Sequence, residues 1–280
     1  MSFDALRILQ EAGGKADSDL NLVTLSIALA APAHPGIVTD RYFNHFSKAA
    51  TQVGERYCAL LNAGARDDAA VRLAALKHIL ADAENYHADN AAAGDLGDIE
   101  NTDMIRVMDR RKGHVAALAI LYIQAGRDNS WELDGLDFPG HFLCRIQHGG
   151  ERIIFDPANG CARMEAPQLR ALVKEKAGEG AELSASYYTP CPNRDILLTL
   201  HNILKSRYIR GEDYGAALGC VERMRLFAPD DHRLWLDAGV LYAKTGDRAR
   251  AAGELEKYIA AVPDARDRLD AEAFLRSIVD

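Results

Sequence analysis

Phe138-Pro-Gly-His141-Phe-Leu-Cys-Arg145 and Ile153-Ile-Phe-Asp156-Pro-Ala-Asn159-Gly160 are the two stretches that decide the fold. Both carry the short apolar runs of strands, and His148-Gly149-Gly150 between them is a hairpin signal. Strands are expected over residues 131–138, 142–147 and 152–156, forming an antiparallel meander. Upstream, residues 115–125 are apolar nearly all round, which predicts a buried helix. One buried helix leading into a meander is an α+β arrangement.

Further towards the N-terminus the pattern is helical. Thr102-Asp103 can cap a short helix with Met104, Ile105 and Met108 on one face. Arg110, Arg111 and Lys112 put cations at its negative end, and Gly113 is expected to close it. These cations read as a complement to the helix dipole rather than as an anion site. Phe3, Leu6, Ile8 and Leu9 sit near helical spacing. Residues 20–31 form an apolar, alanine-rich stretch stopped by Pro32 and Pro35. Tyr42, Phe43, Phe46 and Ala50 mark one more helix, and Leu73, Leu76 and Leu80 another. Residues 90–98 read as a loop. His45, His78 and His87 read as surface or boundary positions without chemistry.

Beyond Pro190 the chain repeats itself. Tyr208 and Tyr242, Ala217 and Ala251, and Pro229 and Pro263 are each 34 apart. That is the period of the tetratricopeptide repeat, and Trp235, Gly239, Tyr242, Ala251 and Pro263 fall where its motif wants them. The earlier copy is weaker, with His201 and Lys205 at the tryptophan and glycine places. A last helix, residues 269–279, is expected to cap the array. The organisation read from the sequence is therefore a helical region over residues 1–98 packing on the core, a core over 99–188, and helical repeats over 189–280.

Composition bounds the function. The 280 residues are 48% apolar and 26% charged, which excludes a disordered chain and a disulfide miniprotein. Charge arithmetic gives 33 basic minus 41 acidic residues, or −8, against non-specific nucleic-acid binding. Cys58, Cys144, Cys161, Cys191 and Cys220 are scattered, with no metal-ligand spacing, as in a reducing cytosol. The start of the chain has no secretion signal pattern, and no apolar run reaches membrane-spanning length. A cytoplasmic protein with no membrane contact, cofactor or metal is expected; the oligomeric state is left open.

The chemistry rests on His141 and Asp156. One begins a predicted strand and the other ends the next, so paired strands can bring them together. An aspartate bonded to a histidine fixes its tautomer and supports its charged form. The missing third member is a thiol or hydroxyl at the start of the buried helix, where the dipole lowers a thiol pKa. Cys161 is the candidate relocated nucleophile. Cys144, three residues from His141, points to the opposite face of its strand and reads as core. A metal site of His114, His141 and Asp156 is a further arrangement, without geometric support from the sequence.

A glycine opening a buried helix, a strand histidine, and Asp-Pro some fifteen residues later resemble the papain-like transglutaminase core. More specifically, the chain is similar to SirB-type bacterial proteins, which join such a domain to tetratricopeptide repeats. The matching segments are Asn101-Thr-Asp-Met-Ile-Arg-Val107, Arg110-Arg-Lys-Gly113, Leu118-Ala-Ile-Leu-Tyr122, Pro139-Gly-His-Phe-Leu143, Phe155-Asp-Pro-Ala-Asn-Gly160 and Asn202 through Pro229. The resemblance implies that the helix supplies Cys and the strands supply His and Asp. Here the helix start reads Gly113-His114-Val115-Ala116-Ala117, with no thiol and no hydroxyl. SirB-type proteins generally also lack the thiol there and usually carry Pro in this stretch, and His114-Val115 departs from that as well.

The expected function is a degenerate, non-catalytic transglutaminase-like protein that binds a protein partner or regulates through its repeats. The alternative is a cysteine-dependent amidase, protease or acyltransferase with a relocated nucleophile assisted by His141 and Asp156. A third reading is a small-molecule site that uses His141 as polar anchor.

Overall fold

A computed structural model describes residues 4–89 and 98–279. Most of the loop expected at 90–98, and Phe3, lie outside them. Contacts divide the chain into two compact units, Asp17–Leu200 and Asp4–Ala16 with His201–Asp280.

The first unit begins with helices. Helix α2 (Leu22–Ala30) is capped by Asn21, whose side chain accepts the Thr24 amide, and nearly every residue in it is buried. It stops where Pro32 enters a 3-10 turn. Helix α3 (Asp40–Asn62) turns Tyr42, Phe46, Ala49, Ala50 and Val53 inward. Helix α4 (Ala69–Leu76) continues into a widened π-helical stretch, Lys77–Ala83. Strand β1 (His87–Ala88) follows. Helix α5 (Met104–Arg110) is capped by Asp103, as its sequence predicts.

The end of α5 differs from expectation. Arg111, not Gly113, takes the left-handed conformation, at φ 57°. Its guanidinium bonds the Met108 carbonyl and lies over the Tyr86 ring. These contacts hold a side chain where glycine is the usual choice. Gly113 instead belongs to β2 (Lys112–Gly113), which pairs in parallel with β1. A Cβ there would fall 2.8 Å from Val107 Cγ2, so close packing is what requires glycine.

Helix α6 (Val115–Asp128) is buried from Val115 to Gly126. It leads into β3 (Glu132–Phe138), β4 (His141–His148) and β5 (Glu151–Asp156). A short β6 (Ala162–Arg163) completes an antiparallel sheet in chain order. Gly149 and Gly150 make the β4–β5 turn at φ 58° and 83°, which side chains other than glycine seldom adopt. Helix α7 (Ala166–Ala177) and β6 had no reading in the sequence.

Register sorts the sheet's two faces. Leu133, Phe142, Cys144, Ile146, Ile153 and Phe155 share one face, as the pairs Leu133–Ile146, Ile146–Ile153 and Cys144–Phe155 require. Helix α6 covers it: Tyr122 meets Phe155 edge-on at 5.9 Å. The other face carries Leu136, Phe138 and Leu143, packed with Leu169 and Val173 of α7. The unit ends in the first part of α8 (Asn193–Arg210). Asp17 caps α8, accepting the amides of Asn193 at 2.7 Å and Arg194 at 2.9 Å.

The second unit comprises α1 (Ala5–Gly13), the rest of α8, α9 (Tyr214–Phe227), α10 (Arg233–Lys244), α11 (Arg248–Ala261) and α12 (Ala265–Val279). The repeat is legible in the geometry. Asp213 and Asp247, 34 apart, cap α9 and α11 by accepting the amides of Ala216 and Arg250. Glu212 and Gly246, also 34 apart, both have positive φ. A Cβ on Gly239 would lie 2.8 Å from Leu255 Cγ, so the glycine lets α10 approach α11.

Helix α1 packs on α9, and Gly13 permits an approach in which a Cβ would meet the Leu226 carbonyl at 2.5 Å. Sequence alone predicts that residues 1–98 pack on the core, whereas Asp4–Ala16 belong to the unit of His201–Asp280. An amphipathic helix announces its apolar face, here Leu9 and Ala12, but not what covers it. Among the described residues, no helix is long and apolar enough to cross a membrane.

Candidate functional site

His141 opens β4 and Asp156 closes β5. Nε2 of His141 lies 3.0 Å from Oδ2 of Asp156, with the side chains 15% and 11% exposed. Oδ1 of Asp156 accepts the Ala158 amide at 2.8 Å. Its carbonyl accepts the Asn159 and Cys161 amides, so the residue also organises the turn into β6. By alternation, His141 and Asp156 belong to the set of residues on the α7 side of the sheet. The end of α7 lies nearby, since a Cβ on Gly140 would sit 3.2 Å from Lys176 Cβ. Lys176 at 2.9 Å lowers the Glu175 carboxyl, and His141 acts on it in the same direction.

Helix α6 runs antiparallel to β3, because Gly126 lies against Leu133 while Tyr122 meets Phe155. From Tyr122 back to His114 the helix covers about 12 Å. From Cys144, the partner of Phe155, back to His141 the strand covers about 10 Å. His114 therefore stands at the end of the sheet that carries His141 and Asp156. It caps α6, with Nδ1 accepting the Ala116 amide at 3.2 Å. This is the place the resemblance assigns to Cys.

The thiols are disposed otherwise. Cys161 is 5% exposed, at φ 59° in the turn after Asp156. Its thiol interacts with Tyr122 of α6, and burial pushes it up to about 12. Cys144 is fully buried on the α6 face, and burial raises its thiol well above the ordinary range. Burial also raises Cys191, to about 12, and Cys220. Cys58 is exposed, and all five cysteines are free.

Other residues find structural partners. Arg110 pairs with Asp98 and Glu100, Arg111 with Glu84, and Lys112 with Asp89. His45 lies 3.0 Å from the Tyr86 hydroxyl, and burial, then Arg111, lowers its imidazole. A second histidine–aspartate pair, His34 Nε2 to Asp103 Oδ2 at 2.6 Å, escaped the sequence reading. A separation of 69 positions hides it, and a cap residue gives no further signal. Among the described residues no three of His, Cys, Asp and Glu form a group that could hold a metal ion. His114 thus joins no such group with His141 and Asp156.

Two family profiles match the chain, one on each part. Residues 41–202 match the profile of the Transglutaminase-like superfamily, and residues 204–276 match a tetratricopeptide repeat profile. A UPF0162 protein of Xylella fastidiosa strain Temecula1 is 30% identical over 169 residues, 59% of this chain and 60% of the relative. A UPF0162 protein of Vibrio cholerae is 29% identical over 168 residues, 60% of this chain and 62% of the relative. The match spans about three-fifths of the length of these curated relatives. With more than half its length matched and its buried helix, meander and repeats in order, the chain belongs to the transglutaminase-like superfamily and carries tetratricopeptide repeats after that domain.

Proposed function

We propose that the chain is a non-catalytic member of its superfamily, of the SirB type, acting in the cytoplasm as an interaction or regulatory module through its repeats. One observation carries the reading. The start of α6 is His114-Val115-Ala116-Ala117, and Cys161, the candidate substitute, is buried in the turn after Asp156, where burial pushes its thiol up to about 12. Acyl transfer by the superfamily route needs a thiolate within reach of the imidazole. Helical repeats support a protein partner, since stacked pairs present extended surfaces.

The His141–Asp156 bond favours one other reading, a cysteine-dependent amidase, protease or acyltransferase with a relocated nucleophile. Labelling the native chain with iodoacetamide from about pH 5 to about pH 9, with each thiol mapped by peptide mass, separates the two. The expected result is ready labelling of exposed Cys58, slow labelling of Cys161 throughout, and no change on His141→Ala. A thiol that reacts fast at low pH and slows in His141→Ala would end the non-catalytic reading.

A further inference from the structure

His201 lies on α8, 34 positions before Trp235 of α10, so the two hold equivalent places in the repeat. Their chemistry differs. Trp235 packs against Tyr258, Val262 and Ala271. His201 is 3% exposed, and neither ring nitrogen has a hydrogen-bond partner. A neutral imidazole carries one donor and one acceptor, and no protein group meets either of them here.

The surrounding charge is cationic. Arg223 of α9 is close enough to act on the imidazole by its charge. Its Nε is buried without a partner, and its Nη2 donates to Cys220 Sγ at 3.4 Å. One turn along α8 from His201, Lys205 is held by Asp237 of α10 at 2.5 Å. A proton on His201 would add a second cation beside Arg223 in the interior, with no carboxylate bonded to it.

We propose that His201 makes α8 and α9 an acid-sensitive element of the repeat unit, which opens when the imidazole takes up a proton. The proposal does not depend on the non-catalytic reading, because it involves neither His141 nor Asp156. Burial first, and Arg223 second, push the imidazole from 6.5 down to about 3. A base with a lowered folded value takes its proton on opening. Stability is therefore complete above pH 6.5 and falls as pH drops from there towards 3. One linked proton raises the opening constant about thirtyfold between about pH 8 and about pH 5.

Amide hydrogen exchange of the whole chain, corrected for intrinsic rates, reads this directly. Peptides from α8 and α9 are expected to lose about thirtyfold in protection over that range. In His201→Phe and His201→Gln most of that loss should disappear. Should the variants fail to fold, the His201 ring signals in the unaltered chain serve instead, and they should remain those of a neutral imidazole down to about pH 5. Flat protection in the unaltered chain, variants that keep its slope, or a ring that titrates near its ordinary value in the folded chain would each overturn the proposal.

Discussion

Asp156 holds His141 with one carboxylate oxygen, at 3.0 Å, and the Ala158 amide with the other, at 2.8 Å. The aspartate therefore supports both an imidazole and a turn, whereas the imidazole's contribution here is its one bond to the aspartate. Asp156→Ala should cost about 2–3 kcal/mol and His141→Ala about 1–2 kcal/mol. Urea unfolding of both variants checks the order. Equal losses would mean that the turn bond adds nothing to stability.

Gly113 is a packing position. An added Cβ would meet Val107 Cγ2 at 2.8 Å, Val107 Cγ1 at 3.0 Å and the Asn101 carbonyl at 3.3 Å. Gly113→Ala should destabilise by about 1–3 kcal/mol through overpacking. Adding Val107→Ala relieves two of the three contacts, so the double variant should lose less than the sum of the singles. Additive losses would place the strain elsewhere.

The two repeats offer an internal control on backbone strain. Gly246 sits at φ 87°, and Glu212 holds the equivalent place at φ 57°. Gly246→Ala should cost about 1 kcal/mol, because a side chain there enters the left-handed region. Glu212→Gly should be neutral or mildly stabilising, as relief of strain offsets the greater freedom of the unfolded chain. Thermal unfolding of the two variants tests the pair, and a clear loss in Glu212→Gly would refute it.

Asp17 caps a helix whose first residue lies 176 positions away, accepting two of its orphan amides. Asp17→Ala should cost about 1–2 kcal/mol, and Asp17→Asn less, since an amide oxygen still accepts. The check is the urea midpoint of each variant. A neutral Asp17→Ala would show that water replaces the cap.

Much of the frame was legible because its rules are local. The meander follows from short apolar runs and from Gly149-Gly150. Helix α6 follows from its uninterrupted apolar run, and α5 from Asp103 at its cap. Strand β6 and helix α7 were missed, the first because two residues carry no period. The close of α5 was misplaced because Arg111 is held in a glycine-like conformation by contacts with Met108 and Tyr86. The meeting of His141 with Asp156 could be anticipated, since one hairpin fixes it.

The sequence by itself determined the α+β core, the 34-residue repeat and the absence of a thiol from the start of α6. These depend on residue identity and on spacings within one or two elements. Only the tertiary structure decided that α7 covers the Leu143 face, that Cys161 meets Tyr122, that α1 packs on α9, and that His201 is buried with its nitrogens unmet. Each depends on which distant segment covers a surface. Periodicity states that a face is apolar, whereas its partner is set by the competition of the whole chain to bury such faces.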